Sequence, residues 1–156
     1  MLVETWRGDN RPFDPMSPRR VLPTLQNIAA TAVMAGCKPD YFPAVVAAVR
    51  AALAPGYNLH GTLATTHPCV PGLILSGPVR GVIGINCGGN CFGQGNRANA
   101  AIGRALQLTM LNVGGGRPGE MDRSTQGSPA KYSFCFGENE EESPWEPVSY
   151  THLRAH

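Results

Sequence analysis

The run Gly84-Ile85-Asn86-Cys87-Gly88-Gly89-Asn90-Cys91-Phe92-Gly93-Gln94-Gly95-Asn96-Arg97 concentrates the residue types that could do chemistry in this chain. Glycines let a ligand approach the main chain. A glycine-rich turn that feeds a helix start also presents unpaired N–H groups and the positive end of the helix dipole to an anion. Arg97 would add a bidentate charge. The candidate substrate-binding residues are therefore Asn86, Gly88, Gly89, Gly93, Gly95 and Arg97, with Asn96 as the helix cap. The competing reading is a tight turn whose glycines need positive φ, with Arg97 pairing to Glu120 or Asp122. Gly93 to Ala98 matches G-x-G-x-x-A. A dinucleotide site, however, needs a strand before that motif and an acid-ended strand about 20 residues on, and the sequence offers no such second strand. No G-K-[ST] follows the loop, so a P-loop is excluded.

Among the five cysteines, Cys87 and Cys91 have three residues between them, a spacing that zinc tolerates. A closed site needs four ligands, and Cys37, Cys69, Cys135, His60 and His67 supply no second close pair. No metal is expected. Cys37 is the better nucleophile candidate: Lys38 and a following helix N-terminus could lower its pKa, and the alternative is a small buried hydrophobe. His67, in Thr65-Thr66-His67-Pro68, is the acid–base candidate. The acidic run Glu138 to Glu142 reads as a solvated face.

These residues must be positioned by a chain of 156 residues with 42% hydrophobic and only 15% charged content. Soluble domains average about 25% charged. The net charge of +2 gives no electrostatic footprint for nucleic acid. No apolar run approaches 18 residues, which speaks against a membrane span. The polar N-terminus is no signal peptide, and reduced thiols in the cytoplasm are expected.

Residues 1–20 read as an unstructured lead-in. A 3.6-residue apolar period then predicts a helix from Thr24 to a stop at Gly36, and a second from Pro39 to Leu53, forming an antiparallel pair. The period switches to two near Leu59, predicting strands at 59–65, 72–76 and 82–86. A long helix follows over Arg97–Val113, broken by Gly114-Gly115-Gly116, and a last strand over 131–136. The expected fold is α/β (with α+β as the alternative): a helical hairpin and a long third helix on a small mixed sheet, as one domain over 21–147. Val148 to His156 resembles translated adaptor sequence, so the domain reads as a fragment of a longer protein. The histidines of that tail, His152 and His156, are set aside.

Several words of the sequence resemble an uncharacterised bacterial family. They include Ala32 to Pro43, Asn58-Leu59-His60-Gly61, Ala64 to Pro68, Gly84-Ile85-Asn86, Arg97-Ala98-Asn99-Ala100, Leu111 to Gly115, Lys131 to Cys135, and Glu138 to Pro147. In that family the region accompanies a UGSC-type (seleno)protein domain, thioredoxin-like in character. The UGSC motif is not in this chain. The resemblance implies an association with thiol or selenol redox chemistry. With the candidates read from the residues it gives a thiol- or selenol-linked oxidoreductase in which Cys37 and His67 act and the glycine-rich loop holds an anion. The alternative is a non-catalytic module packing on a separate redox domain. The cofactor is unknown. Expected partners are a small anionic molecule, the remaining segments of the polypeptide, and further copies of the chain.

Overall fold

A computed structural model describes residues 2–4 and 6–145. The adaptor-like tail at 148–156 lies outside the described residues. Helix α1 spans Leu25–Met34. Thr24 caps it: its hydroxyl accepts from the Asn27 N–H at 3.1 Å, and the Asn27 side chain accepts from the Thr24 N–H at 3.1 Å. At its end Gly36 adopts φ +84°, the Gly36 N–H reaches the Val33 carbonyl, and the Cys37 N–H reaches that of Ala32, both at 2.9 Å. This is a Schellman closure, and it explains why the apolar period stops at Gly36. A short 3₁₀ turn, Pro39–Tyr41, leads into α2, Phe42–Leu53.

Two predicted strands are helices instead. Residues 59–65 form α3, Leu59–Ala64. Leu59 and Leu63 are both buried, and a spacing of four satisfies either a strand period or a helix period. The Asn58 side chain decides between them by accepting from the Gly61 N–H at 3.0 Å. The predicted strand at 82–86 is replaced by α4, Val79–Ile83, which Gly84 terminates in the left-handed region at φ +62°. The strand at 72–76 is present as β1, Leu73–Leu75. The last strand is β2, Cys135–Gly137, because Pro129–Lys131 turns as 3₁₀ helix first. β1 and β2 pair in parallel, with Leu73 opposite Cys135 and Leu75 opposite Gly137. The mixed α/β class holds, and among the described residues the sheet has these two strands and is parallel rather than mixed.

The long helix α5, Arg97–Thr109, continues into a π turn over Met110–Gly114. It is the centre of the fold: α1, α2 and β2 all pack on it. Ile28, Val45, Val49, Ile102, Ala105 and Leu106 form the dry middle of the core. The Thr31 and Thr109 hydroxyls meet there at 2.7 Å, so both helices bury a polar group at no loss of hydrogen bonding. Gly103 lets β2 approach. A Cβ at that position would stand 2.4 Å from Ser133 Oγ and 2.9 Å from the Phe134 nitrogen.

The expectation of an unstructured lead-in is corrected. Met16 is completely buried and Phe13 nearly so. The Met16 N–H bonds the Val21 carbonyl at 2.8 Å, and the Arg19 N–H bonds the Gly114 carbonyl at 3.1 Å. Arg50 of α2 donates to the carbonyls of Asp9 and Arg11 and lies 4.2 Å above the Phe13 ring. The triple glycine therefore does more than break α5. A Cβ on Gly114 would stand 2.8 Å from the Ser17 carbonyl oxygen, so the missing side chain makes room for the lead-in. No helix among the described residues is long and apolar enough to cross a membrane.

Candidate functional site

The glycine-rich loop is closed on itself. The Asn86 N–H donates to Asn99 Oδ1 at 2.8 Å, and Asn99 Nδ2 returns bonds to the carbonyls of Asn86 at 2.9 Å and Cys91 at 3.1 Å. The Asn86 side chain bridges the turn, donating to the Gly89 carbonyl and accepting from the Gly88 N–H. The Gly93 N–H goes to the Asn90 carbonyl at 2.9 Å, and a Cβ there would stand 2.1 Å from Asn90 Oδ1. Gly95 has φ +103°, which only glycine adopts without strain. Asn96 occupies the helix start but makes no side-chain cap. Asn99, buried on α5, is the residue that fastens the loop. It was legible only as a polar residue on an otherwise apolar helix stripe.

Arg97 pairs with neither Glu120 nor Asp122. Its Nε and Nη2 both donate to the Gly36 carbonyl, at 3.0 and 2.9 Å. The Cys37 thiol donates to the Ala101 carbonyl at 3.4 Å. Burial pushes it up to about 11, and the nearby Arg97 only partly opposes that. The expected lowering of the Cys37 pKa is thus reversed, and the group is a packed thiol rather than a poised thiolate. His67 is exposed, with Nδ1 3.2 Å from the Thr65 hydroxyl. Cys87 Sγ lies 3.9 Å from Arg80 Nη1. Among the described residues no three His, Cys, Asp or Glu side chains converge as a metal site.

The acidic run is no loose solvated face. Arg80 grips Glu141 with two bonds, at 2.9 and 2.8 Å, and reaches Glu140 at 2.9 Å and the Glu138 carbonyl at 2.8 Å.

A cavity of about 760 Å³ lies elsewhere, between the C-terminal half of α5, the Cys69–Pro71 segment and the 118–132 loop. Cys37, His67, Asn86 and Arg97 are not among its lining residues. Arg104, Gln107, Met110 and Leu111 form its helical wall, the last two from the π turn, a distortion frequent at functional sites. Lys131 holds the opposite loop. Its Nζ donates to Asp122 Oδ2 at 2.8 Å and Oδ1 at 3.0 Å, to Ser124 Oγ at 2.7 Å, and to the Cys69 carbonyl at 3.4 Å. Burial alone would raise the buried Asp122 carboxyl, but the Lys131 and Ser124 hydrogen bonds outweigh it and hold the group below its usual value. Ser124 beside a lysine suggests a nucleophile and its base. The Ser124 hydroxyl, however, donates to the His67 carbonyl at 3.0 Å, and Lys131 has spent its protons on the carboxylate and the hydroxyl. Both groups are thus engaged in holding the loop.

Arg104 is different. Its side chain forms no ion pair or hydrogen bond with the described residues, and its guanidinium carbon lies 5.8 Å from the Tyr132 ring centre. The same arginine lines a shallower hollow of about 440 Å³ that it shares with Arg97, Gly36 and Ser133. The chain matches no known protein family, no curated protein and no solved structure.

Proposed function

We propose that the domain binds a small anionic molecule in the cavity between α5 and the 118–132 loop, with Arg104 as the group that contacts the negative charge. The observation that carries this reading is an arginine with no carboxylate partner on the wall of a cavity of about 760 Å³. Arginines at structural positions in this protein are engaged: Arg80 by Glu140 and Glu141, Arg97 by Gly36, Arg50 by the lead-in. The volume lies in the range of pockets that enclose small ligands, and the wall combines apolar side chains with polar ones that can orient a ligand. The anion expected from the glycine-rich loop is thereby moved to the other end of α5.

The test is thermal denaturation of the full chain with a set of small carboxylates and phosphates, for wild type and Arg104→Gln. A ligand at 100 times its Kd raises stability by about 2.7 kcal/mol. Stabilisation of the wild type that the variant loses supports the reading. No shift by any anion at millimolar concentration overturns it.

A further inference from the structure

The charges around the cavity restrict what can occupy it. Three charged residues line it: Arg104, Asp122 and Lys131. Asp122 and Lys131 neutralise one another through contacts at 2.8 and 3.0 Å, and both side chains are largely buried. One positive charge is left, on Arg104. The rest of the wall is uncharged: Leu63, Met110 and Leu111 supply apolar surface on one side, and Gln107, Thr125, Gln126 and Ser128 supply neutral hydrogen-bonding groups. A group with two or more negative charges would leave at least one of them without an opposite charge, held by neutral groups alone, which is costly. A single carboxylate satisfies Arg104 bidentately, and an apolar body then covers the leucine and methionine surface.

We infer that the ligand is an amphipathic monocarboxylate: one carboxylate held by Arg104, with an apolar ring or chain lying against Met110 and Leu111. This rests on the reading of the cavity as an anion site and adds the ligand class. The alternative location for a more highly charged group is the neighbouring hollow, where Arg97 and Arg104 both contribute.

Calorimetric titration of the full chain with 2-naphthoate, octanoate, 2-naphthamide, inorganic phosphate and pyrophosphate separates these. The proteins are wild type, Arg104→Gln, Arg104→Lys, Arg97→Gln and Leu111→Ser, each checked for fold by circular dichroism. Expected are binding of both carboxylates by wild type, at least tenfold weaker binding by Arg104→Gln and by Leu111→Ser, partial retention by Arg104→Lys, and no change in Arg97→Gln. The uncharged naphthamide should bind wild type and Arg104→Gln alike, and weakly. Pyrophosphate binding more tightly than naphthoate, and lost in Arg97→Gln, would overturn the ligand class while leaving an anion site. Equal affinity of wild type for naphthoate and naphthamide would also overturn it, because charge would not be recognised. Absence of binding by all four anions would instead remove the underlying reading of the cavity.

Discussion

Arg97 and Gly36 join the start of α5 to the end of α1: the guanidinium donates from Nε and Nη2 to one carbonyl oxygen, at 3.0 and 2.9 Å. The carbonyl belongs to the glycine that closes α1, where helix carbonyls lack partners and a cation is favoured by the dipole. Arg97 therefore locks two helices together at an exposed position. Arg97→Ala is expected to lower stability by about 1 kcal/mol, a charge-assisted bond discounted for solvent, and to leave anion binding unchanged. Urea denaturation measures the first and calorimetry the second; loss of ligand binding in the variant would contradict this assignment.

Gly103→Ala tests the close approach of β2 to α5. Alanine favours helix over glycine by up to about 1 kcal/mol. The added methyl, however, would meet Ser133 Oγ at 2.4 Å and the Phe134 backbone nitrogen at 2.9 Å. Overpacking should win, with a net destabilisation of about 1–3 kcal/mol. A rise in the denaturation midpoint would show that the strand has room to retreat.

Lys131→Met removes the partner of a buried carboxylate. Asp122 is 8% exposed, and an uncompensated charge there is expected to cost about 3 kcal/mol. Lys131→Met combined with Asp122→Asn should recover part of the loss. If the single and double variants are equally unstable by chemical denaturation, the lysine acts through its contacts to Ser124 and Cys69 alone.

Acid should act on carboxylates whose native pKa values are depressed, Asp122 and Glu141 among them. Asp122 is held low by Lys131 and Ser124, and Glu141 is held down at about 2, chiefly by hydrogen bonds from Arg80. A depressed native pKa gives stabilisation that is complete above the unfolded value, about 3.9 for Asp and 4.3 for Glu. It is lost as the pH falls through the native value. The attachment of residues 138–142 to Arg80 should therefore persist at pH 4 and weaken near pH 2. Carbon-13 titration of the Glu141 carboxyl checks this, and a midpoint near 4.3 would show that the Arg80 grip does not form.

Thiol reactivity should follow burial. Cys69 is exposed, whereas the Cys37 thiol is raised to about 11 and Cys135, packed in β2, to about 12. Iodoacetamide at pH 8 is expected to modify Cys69 first and Cys37 and Cys135 only on unfolding, as mapped by mass spectrometry. Labelling of Cys37 as fast as Cys69 would restore Cys37 as a nucleophile.

Local interactions were legible in the sequence. Thr24 and Asn27 lie three residues apart and cap α1 within one turn, Gly36 closes it by its own φ, and the apolar stripe of α5 is continuous from Ala98 through Leu106. The signal failed where one pattern served two structures. Leu59 and Leu63 suit strand or helix equally, and the outcome hung on a single Asn58 cap. Phe13 and Met16 sat among prolines and charges with no period to betray them, because their burial depends on the space left by Gly114, about a hundred residues on.

The sequence by itself determined the two helices at either side of Gly36 and the long α5, since these rest on contacts within a few residues. Which apolar runs become strands was decided by the pairing of Leu73 with Cys135 across the chain. The tertiary structure alone decided which polar groups are engaged and which are left over. Asn86 with Asn99, Arg97 with Gly36 and Lys131 with Asp122 are pairings between side chains or backbone groups that no helix or strand period encodes. A charge is available for a ligand only after every partner in the fold has been assigned. Arg19 and Arg20 also lack a side-chain partner among the described residues, so Arg104 is set apart only by its place on the cavity wall, which the packing of α5 decides.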